Sequence, residues 1–306
     1  METADNTPHF RRVAILWFIA TAILTPIVIF VFGPGLPPGN GSVQASGQTA
    51  DNIVLLALSV PVAMAVLVTL AYEIWAFRER DLSGPVLDGP AITGNSSIQL
   101  WWLIITTSLV LFLAGFGSVR LLQDGSGGGQ GPTPLVNPTG YKHALQVQVI
   151  AQQWAFTYRY PQYGGVETPT LEIPAHTLVE FHVTSLDVVH SFWAYQLGVK
   201  ADANPGVNNV AYTTPYHTGT FVVRCDELCG IWHGAMYDYG KVVSVPNFLT
   251  WAHSTETQLA AVTKLLPPYA LTYDPTVLAN VGKVNQQLGL TSAGGGYYNP
   301  ADPEQP

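Results

Sequence analysis

The sequence predicts two parts: an α-helical membrane anchor with three transmembrane helices, and then an all-β sandwich domain. Three apolar stretches of about 20 residues each, the length that crosses a bilayer, lie within the first 120 residues. Alternating polar and apolar residues, typical of short strands, begin at Leu145. Charged residues make up only 10% of the chain, whereas soluble proteins average about 25%.

The composition excludes several classes of protein. Lys and Arg number 12 against 20 Asp and Glu, and the net charge of −8 excludes a generic nucleic-acid binder. The 2 cysteines exclude a scaffold of several disulfides and a cluster held by four thiolates of this chain. No Cys-x-x-Cys-His motif occurs, so no c-type haem is attached to the chain. An integral membrane protein in contact with the lipid bilayer is the class that fits.

The predicted membrane anchor spans residues 1–122. Its three helices are expected near 13–32, 53–77 and 100–119. The first and third stretches contain no charged residue, and the second contains only Glu73, close to its end. An apolar helix of about 20 residues without a hydrophilic face is expected to lie in lipid.

The basic residues predict the orientation of the anchor, because Lys and Arg near membrane helices favour the cytoplasmic side. No Lys or Arg occurs in the loop 33–52. Four arginines instead flank the other helix ends: Arg11, Arg12, Arg78 and Arg80. The predicted protein is therefore a multi-pass protein of the cell (plasma) membrane, and everything after about residue 120 lies on the extracytoplasmic side. Arg120 is a single exception to this distribution.

The first helix has an alternative interpretation as a cleaved signal peptide. Its arginines would form the charged region, and Val43-Gln44-Ala45 would be the cleavage signal. The apolar run is longer than the 7–15 residues of an ordinary signal peptide, so we expect a retained helix.

A Gly- and Pro-rich linker at 123–142 separates the anchor from the predicted β domain at 143–246. Short strands with turns between them indicate a sandwich or barrel. The strands are expected around 145–149, 179–183, 221–223 and 242–245. The last part, 247–306, is predicted to hold a helix near 248–265 and then an extended tail.

The stretch from Cys225 to Met236 contains the residues that carry chemistry. Two thiols, an imidazole and a thioether occur there, at Cys225, Cys229, His233 and Met236. Thiolate and thioether are soft ligands, so the set suits copper, whereas zinc would leave the methionine without a role. A mononuclear blue-copper site uses one cysteine. Two thiolates on one short loop can instead bridge two copper ions that share one electron.

A second imidazole is needed, and in a copper-binding β domain it would come from the end of an earlier strand. His190, three residues after Asp187, is the best placed. The remaining histidines of this part lack comparable neighbours and are expected to be structural or at the surface: His143, His176, His182, His217 and His253. The alternative for the cysteines is an extracytoplasmic disulfide. A disulfide would leave both His233 and Met236 without a role.

From about residue 50 to 255, the sequence closely resembles subunit II of the haem-copper cytochrome c oxidases. The family pattern Cys-x-Glu-x-Cys-x3-His-x2-Met is present in full, as is the upstream Asp-x2-His. The matching residues are Asp187, His190, Cys225, Glu227, Cys229, His233 and Met236. Residues 197–206 and the aromatic run 153–160 are similar too. The resemblance implies a cupredoxin-like Greek-key sandwich that holds a binuclear copper A centre.

The resemblance also implies the metal ligands. They are Cys225 and Cys229 as bridges between two copper ions, His190 with Met236 on one ion, and His233 with the backbone carbonyl of Glu227 on the other. The Glu227 carboxylate would reach a magnesium ion shared with subunit I.

A member of this family takes part in the respiratory chain, in an oxidase complex classed as a translocase. Trp154 would be the surface residue through which a c-type cytochrome passes single electrons toward copper, and haem in subunit I would receive them for the reduction of oxygen to water. After residue 120 the chain has 7 basic and 13 acidic residues. This difference of −6 would steer a basic donor protein at low salt.

The chain departs from the family pattern at several points. Gln99 stands where the family usually has a glutamate at the mouth of a proton channel, and Val207 stands where it usually has an arginine. The first helix is an addition to the two-helix form, and no chemistry can be assigned beyond about residue 265. Two alternatives remain at this point: subunit II of a quinol oxidase, whose members have generally lost the copper ligands, and a copper-delivery or assembly module.

Overall fold

A computed structural model of the chain describes residues 7–78, 94–124, 138 and 140–263. The chain divides into two compact units, one formed by residues 1–37 and 49–120 and the other by residues 38–48 and 121–306. Most of the predicted linker and the whole tail beyond 265 lie outside the described residues, as does Arg80. The predicted domain boundaries therefore stay predictions.

The first unit consists of helices from the three apolar stretches. They are α1 (Thr7–Ile27), which continues as a π-helical turn (Val28–Phe32), α2 (Val43–Ala76) and α3 (Ser96–Asp124). All three are long and apolar enough to cross a membrane. Each helix is longer than the sequence predicts, because polar residues at its ends continue the helical turns. Asn95 caps α3: its Oδ1 accepts the backbone N–H groups of Ser97 and Ile98, both at 3.1 Å.

Polar contacts join the helices of the first unit. His9 Nδ1 and the Tyr72 hydroxyl are 2.9 Å apart, and Trp17 Nε1 donates to the carbonyl of Pro61 at 2.8 Å, so α1 packs against α2. Arg120 Nε donates to Asp51 Oδ1 at 2.6 Å. This ion pair offsets the charge of Arg120, the one basic residue that departs from the distribution of Lys and Arg on the cytoplasmic side.

In the residues that the structure describes, the second unit contains ten strands in two five-stranded sheets. The strands are β1 (Leu145–Gln152), β2 (Ala155–Tyr160), β3 (Val166–Thr168), β4 (Glu172–Pro174), β5 (Val179–Ser185), β6 (His190–Ala194), β7 (Val199–Ala203), β8 (Asn209–Thr213), β9 (Gly219–Cys225) and β10 (Tyr237–Val243). Their order is β3-β2-β1-β5-β8 in one sheet and β4-β10-β9-β6-β7 in the other. The predicted fold class, a membrane anchor followed by an all-β sandwich, is confirmed.

The sheets are mixed rather than purely antiparallel. β1 runs parallel to β5, with Val147 opposite Phe181, and β10 runs parallel to β4. Alternate side chains of each strand point between the sheets, among them Val147, Phe181, Phe192 and Val223, and form one buried core.

The helix α4 (Val245–Thr263) follows the last strand and packs against the sandwich. Phe248 is buried, and its ring and that of Trp251 lie 6.3 and 5.1 Å from the ring of Tyr160.

The strand predicted at 242–245 is wrong at its C-terminal end, where α4 begins. β10 stops at Val243, and the Ser244 side chain accepts the N–H of Asn247 at 3.4 Å as a helix cap.

Residues 38–48 belong to the second unit and pack on the sandwich. Ser42 Oγ donates to the carbonyl of Leu197 at 2.7 Å, and Gln44 Oε1 accepts the N–H of Thr214 at 2.9 Å. Ala45 is buried. In the folded unit, Val43-Gln44-Ala45 is thus held in the structure rather than presented as an open cleavage signal.

Candidate metal centre

Two loops, from β5 to β6 and from β9 to β10, bring the predicted copper ligands together at one end of the sandwich. His190 is the first residue of β6, and Cys225 is the last residue of β9, its neighbour in the sheet. The loop from β9 to β10 carries Cys229 and then a single 3-10 turn that begins at His233. Met236 follows that turn, and its carbonyl accepts the N–H of Cys225 at 3.0 Å, which closes the loop at its base.

The donor atoms converge on the two sulfur atoms. Cys225 Sγ lies 3.7 Å from Cys229 Sγ and 3.7 Å from His190 Nδ1. Cys229 Sγ lies 3.6 Å from His233 Nδ1 and 3.8 Å from Met236 Sδ. Both cysteines are free thiols, and their separation is far greater than the about 2.05 Å of a disulfide.

The side chains around the two sulfur atoms are largely buried. His190, Met236 and Cys229 are 0%, 2% and 3% exposed, while His233 is half-buried. Burial, and next the hydrogen bond with Cys225, raises the pKa of the Cys229 thiol to about 12. The thiol is therefore neutral at pH 7 without a metal, and a bound metal ion would displace its proton.

Asp187 orients the upstream imidazole. Its Oδ1 lies 2.9 Å from His190 Nε2, so Nδ1 of the same ring faces the sulfurs. Burial alone would raise the pKa of the Asp187 carboxyl, but hydrogen bonds from the Gln153 N–H, His190 and the Val188 N–H lower it overall. The carboxylate is thus ionised at neutral pH, as a partner of a metal-binding histidine usually is.

Trp154 contacts the ligand loop directly. Its indole Nε1–H donates to the carbonyl of Cys229 at 3.1 Å. The ring is partly buried against the core, and Gly230 leaves room for it: a Cβ at Gly230 would lie 3.2 Å from Trp154 Cζ2. The tryptophan therefore has one edge at the metal loop and part of its surface open to a partner.

The donor set fits copper. His190, Cys225 and Cys229 form a group whose ligand atoms lie within 4.8 Å of one another. Thiolate and imidazole donors with a thioether 3.8 Å from one thiolate match the soft ligands that copper prefers. The carbonyl of Glu227, 3.3 Å from Cys225 Sγ, adds an oxygen at the same place.

Comparison with known proteins agrees with this chemistry. Residues 168–243 match the family model described as cytochrome C oxidase subunit II, periplasmic domain. Cytochrome c oxidase subunit 2 of Eremothecium gossypii is 32% identical over 186 residues, which cover 52% of this chain and 70% of that protein. The chain belongs to the cytochrome c oxidase subunit II family. The subunit 2 protein of Thermostichus vulcanus is 27% identical and covers 83% of this chain and 89% of its own length.

Solved structures were compared with the chain as well. The crystal structure of the periplasmic domain of subunit II of the cytochrome oxidase of Bradyrhizobium japonicum is 28% identical to this subunit II chain. It covers 37% of this chain and 94% of its own chain, with a TM-score of 0.36.

Magnesium remains a prediction for this subunit II chain. The Glu227 side chain is exposed at the ligand loop. Within the described ranges, the one group of side chains that could hold a metal ion is that of His190, Cys225 and Cys229, and it does not include the Glu227 carboxylate. A second chain would have to supply the other magnesium ligands.

The other histidines lie apart from this group, as expected. His182 is buried and its Nδ1 lies 2.9 Å from Asn208 Nδ2, while His253 is exposed beside Glu256.

The two positions that depart from the family pattern are both exposed: Gln99 lies in the first turn of α3, and Val207 is 38% exposed.

Gln153 is a residue of the site that no sequence motif indicated. Its Nε2 donates to the Cys229 carbonyl at 2.8 Å. The sequence carried no signal for this contact beyond the position of Gln153 next to Trp154.

Proposed function

We propose that this chain is the electron-accepting subunit II of a cytochrome c oxidase. It takes single electrons from a c-type cytochrome at a binuclear copper A centre and passes them to haem in subunit I, where oxygen is reduced to water. The observation that carries the proposal is the convergence of two free thiols, two imidazoles and a thioether within 3.6 to 3.8 Å of one or other sulfur.

Each residue of the site has a distinct task in this proposal. The ligands would be Cys225 and Cys229 as bridges, His190 with Met236 on one ion, and His233 with the Glu227 carbonyl on the other. When bound, the copper pair supplies a one-electron centre that spreads the change of charge over two ions. The protein contributes fixed donor atoms in a dry environment, so little rearrangement accompanies the change of redox state.

Trp154 would be the contact with the donor cytochrome. Its indole offers an apolar π surface to a haem edge, and its N–H reaches the backbone of a ligand residue at 3.1 Å. Exposed apolar residues near the ligands offer a partner protein an apolar contact surface; they are Val188, Val189, Leu228, Ile231 and Trp232. The acidic excess of the chain favours a basic donor.

The proposed assembly is a membrane complex. The three apolar helices would anchor the chain in the plasma membrane beside subunit I and other oxidase subunits, with the copper domain on the extracytoplasmic side. The Glu227 carboxylate, exposed on the ligand loop, would reach the magnesium ion shared with subunit I.

Electron paramagnetic resonance of the copper-loaded full chain tests the function. We expect hyperfine coupling shared over two equivalent copper nuclei, which Cys225→Ser and Cys229→Ser each abolish and His143→Ala leaves unchanged. A spectrum of one isolated Cu(II), or no bound copper after loading, would overturn the proposal.

The alternatives make different predictions. A copper-delivery module needs thiols that exchange metal readily, whereas Cys225 and Cys229 are 7% and 3% exposed. A quinol oxidase subunit needs no copper ligands, whereas this chain keeps a complete set. Purification of the native complex, with identification of its chains and haems, separates these functions directly.

A further inference from the structure

Gln153 contacts both the Asp187–His190 pair and the loop that carries Cys229. Its backbone N–H donates to Asp187 Oδ2 at 2.7 Å, and the other oxygen of that carboxylate holds His190. Its side-chain Nε2 donates to the Cys229 carbonyl at 2.8 Å. One residue of the β1–β2 turn therefore contacts the partner of the upstream histidine and also the ligand loop.

The Cys229 carbonyl accepts two hydrogen bonds from adjacent residues. Gln153 Nε2 and the Trp154 indole N–H lie 2.8 and 3.1 Å from the same oxygen. A carbonyl oxygen has two lone pairs, so this pair of donors satisfies it fully. The orientation of the peptide between Cys229 and Gly230 is thus determined by the amide and the indole together.

Gly230 shows how closely these groups approach the loop. Its φ of +118° is one that residues with a side chain rarely adopt. A Cβ at this position would lie 3.0 Å from Gln153 Nε2 and 3.2 Å from Trp154 Cζ2. The loop therefore passes directly against both side chains.

The neighbouring Gln152 provides a contrast. It is exposed like Gln153 and is the last residue of β1. Within the part of the chain that the structure describes, its side chain makes no hydrogen bond. Gln152 is thus an exposed glutamine next to Gln153 that makes no contact of this kind, and it serves as the matched control position.

We propose that Gln153 is a positioning residue for electron transfer: its amide holds the Cys229 carbonyl where the Trp154 indole N–H can donate to it. The inference rests on the proposed function of Trp154 and the copper ligands. Without the amide, the Cys229–Gly230 peptide is free to rotate away, and the contact between Trp154 and a ligand residue weakens. The backbone N–H to Asp187 is unaffected by a change of side chain.

The test compares Gln153→Met with Gln152→Met in the full chain. Methionine keeps the length of glutamine and removes the donor. In the metal-free protein, the ultraviolet resonance Raman band that reports indole N–H hydrogen bonding is measured, and the Trp154 contribution is obtained by subtracting the Trp154→Phe spectrum. We expect a weaker Trp154 hydrogen bond in Gln153→Met and no change in Gln152→Met. Gln153→Glu, which cannot donate, gives the same result and serves if the methionine variant does not fold.

The copper-loaded proteins give the second readout. In Gln153→Met, single-turnover reduction by a c-type cytochrome should slow severalfold, because the contact between Trp154 and the Cys229 carbonyl lengthens. Reduction by a small inorganic reductant and the paramagnetic resonance spectrum should not change. An unchanged Raman band, or equal slowing in both variants, overturns the inference. Loss of the dicopper spectrum in the unmodified chain would instead overturn the proposed function and leave the metal-free Raman comparison standing.

Discussion

The Asp187 carboxylate and the His190 imidazole are joined at 2.9 Å, through Nε2 of the ring, while Nδ1 of the same ring lies 3.7 Å from Cys225 Sγ. The hydrogen bond to Asp187 places the proton on Nε2 and leaves the Nδ1 lone pair free for a metal. Ser185 Oγ also donates to the carboxylate, at 3.2 Å, so Asp187 is itself held. The histidine ligand is therefore oriented before any metal binds.

Asp187→Ala should lower copper affinity about 10- to 100-fold, the usual effect of removing the hydrogen-bond partner of a metal-binding histidine. Asp187→Asn keeps an acceptor oxygen and should lose less. Copper affinity is measured by competition with a chelator of known strength. Asp226→Ala is the control, because that acid is next to Cys225 but pairs with Lys200. Equal losses in the Asp187→Ala and Asp226→Ala proteins would show that charge, and not orientation of the ring, is responsible.

Trp154→Phe removes the indole N–H and keeps an aromatic ring in place. We expect reduction by a c-type cytochrome to slow at least about tenfold, equivalent to about 1.4 kcal/mol in activation free energy. The paramagnetic resonance spectrum should stay the same, because Trp154 donates to a backbone carbonyl and supplies no metal ligand. Stopped-flow single-turnover kinetics measure the rate.

Trp193→Phe is the matched control for this experiment. Trp193 is half-buried on β6 and packs beside Tyr195 at 5.3 Å between ring centroids, without a hydrogen bond to the ligand loop. A Trp154→Phe protein as fast as the control would assign the contact with the donor to another surface.

Local patterns of the sequence were enough to predict the helices, four of the ten strands in the described residues, and the proximity of the candidate ligands on one loop. A run of about 20 apolar residues is long enough by itself to predict a membrane-spanning helix. Cys225, Cys229, His233 and Met236 lie on one loop, so their spacing in sequence already limits their separation in space. His190 was chosen as the second imidazole because that ligand was expected at the end of an earlier strand, and the structure places its ring 3.7 Å from Cys225 Sγ.

Contacts between distant segments were not visible in the sequence. The parallel pairing of β1 with β5 depends on a crossover between the sheets, which alternation of side chains does not reveal. Asp51 and Arg120 are 69 residues apart, and nothing in either neighbourhood indicates the pair. The start of α4 was detectable: Ser244 followed by Pro246 is a helix-start signal that outweighs the apolar run at 242–245.

The orientation of the chain can be tested by labelling introduced cysteines. In a background with Cys225→Ser and Cys229→Ser, Thr218→Cys and Ser97→Cys each place one thiol at an exposed position. A membrane-impermeant maleimide should label Thr218→Cys in intact cells and Ser97→Cys only after permeabilisation, because the basic residues favour the cytoplasmic side for the start of α3. Labelling of Ser97→Cys in intact cells would reverse the proposed orientation.

Arg159 is a buried cation in β2 whose pairing is incomplete. It is 2% exposed, its Nη1 lies 4.0 Å from Glu167 Oε2, and its Nε and Nη1 make no hydrogen bond. Burial lowers the pKa of the guanidinium to about 10, against a smaller opposite effect of Glu167, so Arg159 is still charged at pH 7.

Because a buried ion pair with poor geometry costs more in desolvation than its attraction returns, replacing both partners, in the double variant Arg159→Met with Glu167→Gln, should leave the free energy of unfolding unchanged or raise it, by up to about 4 kcal/mol. Glu167→Gln alone should lower it, since this change removes the carboxylate nearest to the cation. Urea denaturation of both variants at pH 7, followed by near-ultraviolet circular dichroism, measures the two effects. The dicopper spectrum is a control and should be unchanged in both, because neither side chain contacts a ligand residue. A clear loss of stability in the double variant would mean that the guanidinium contributes packing or hydrogen bonds that outweigh its desolvation.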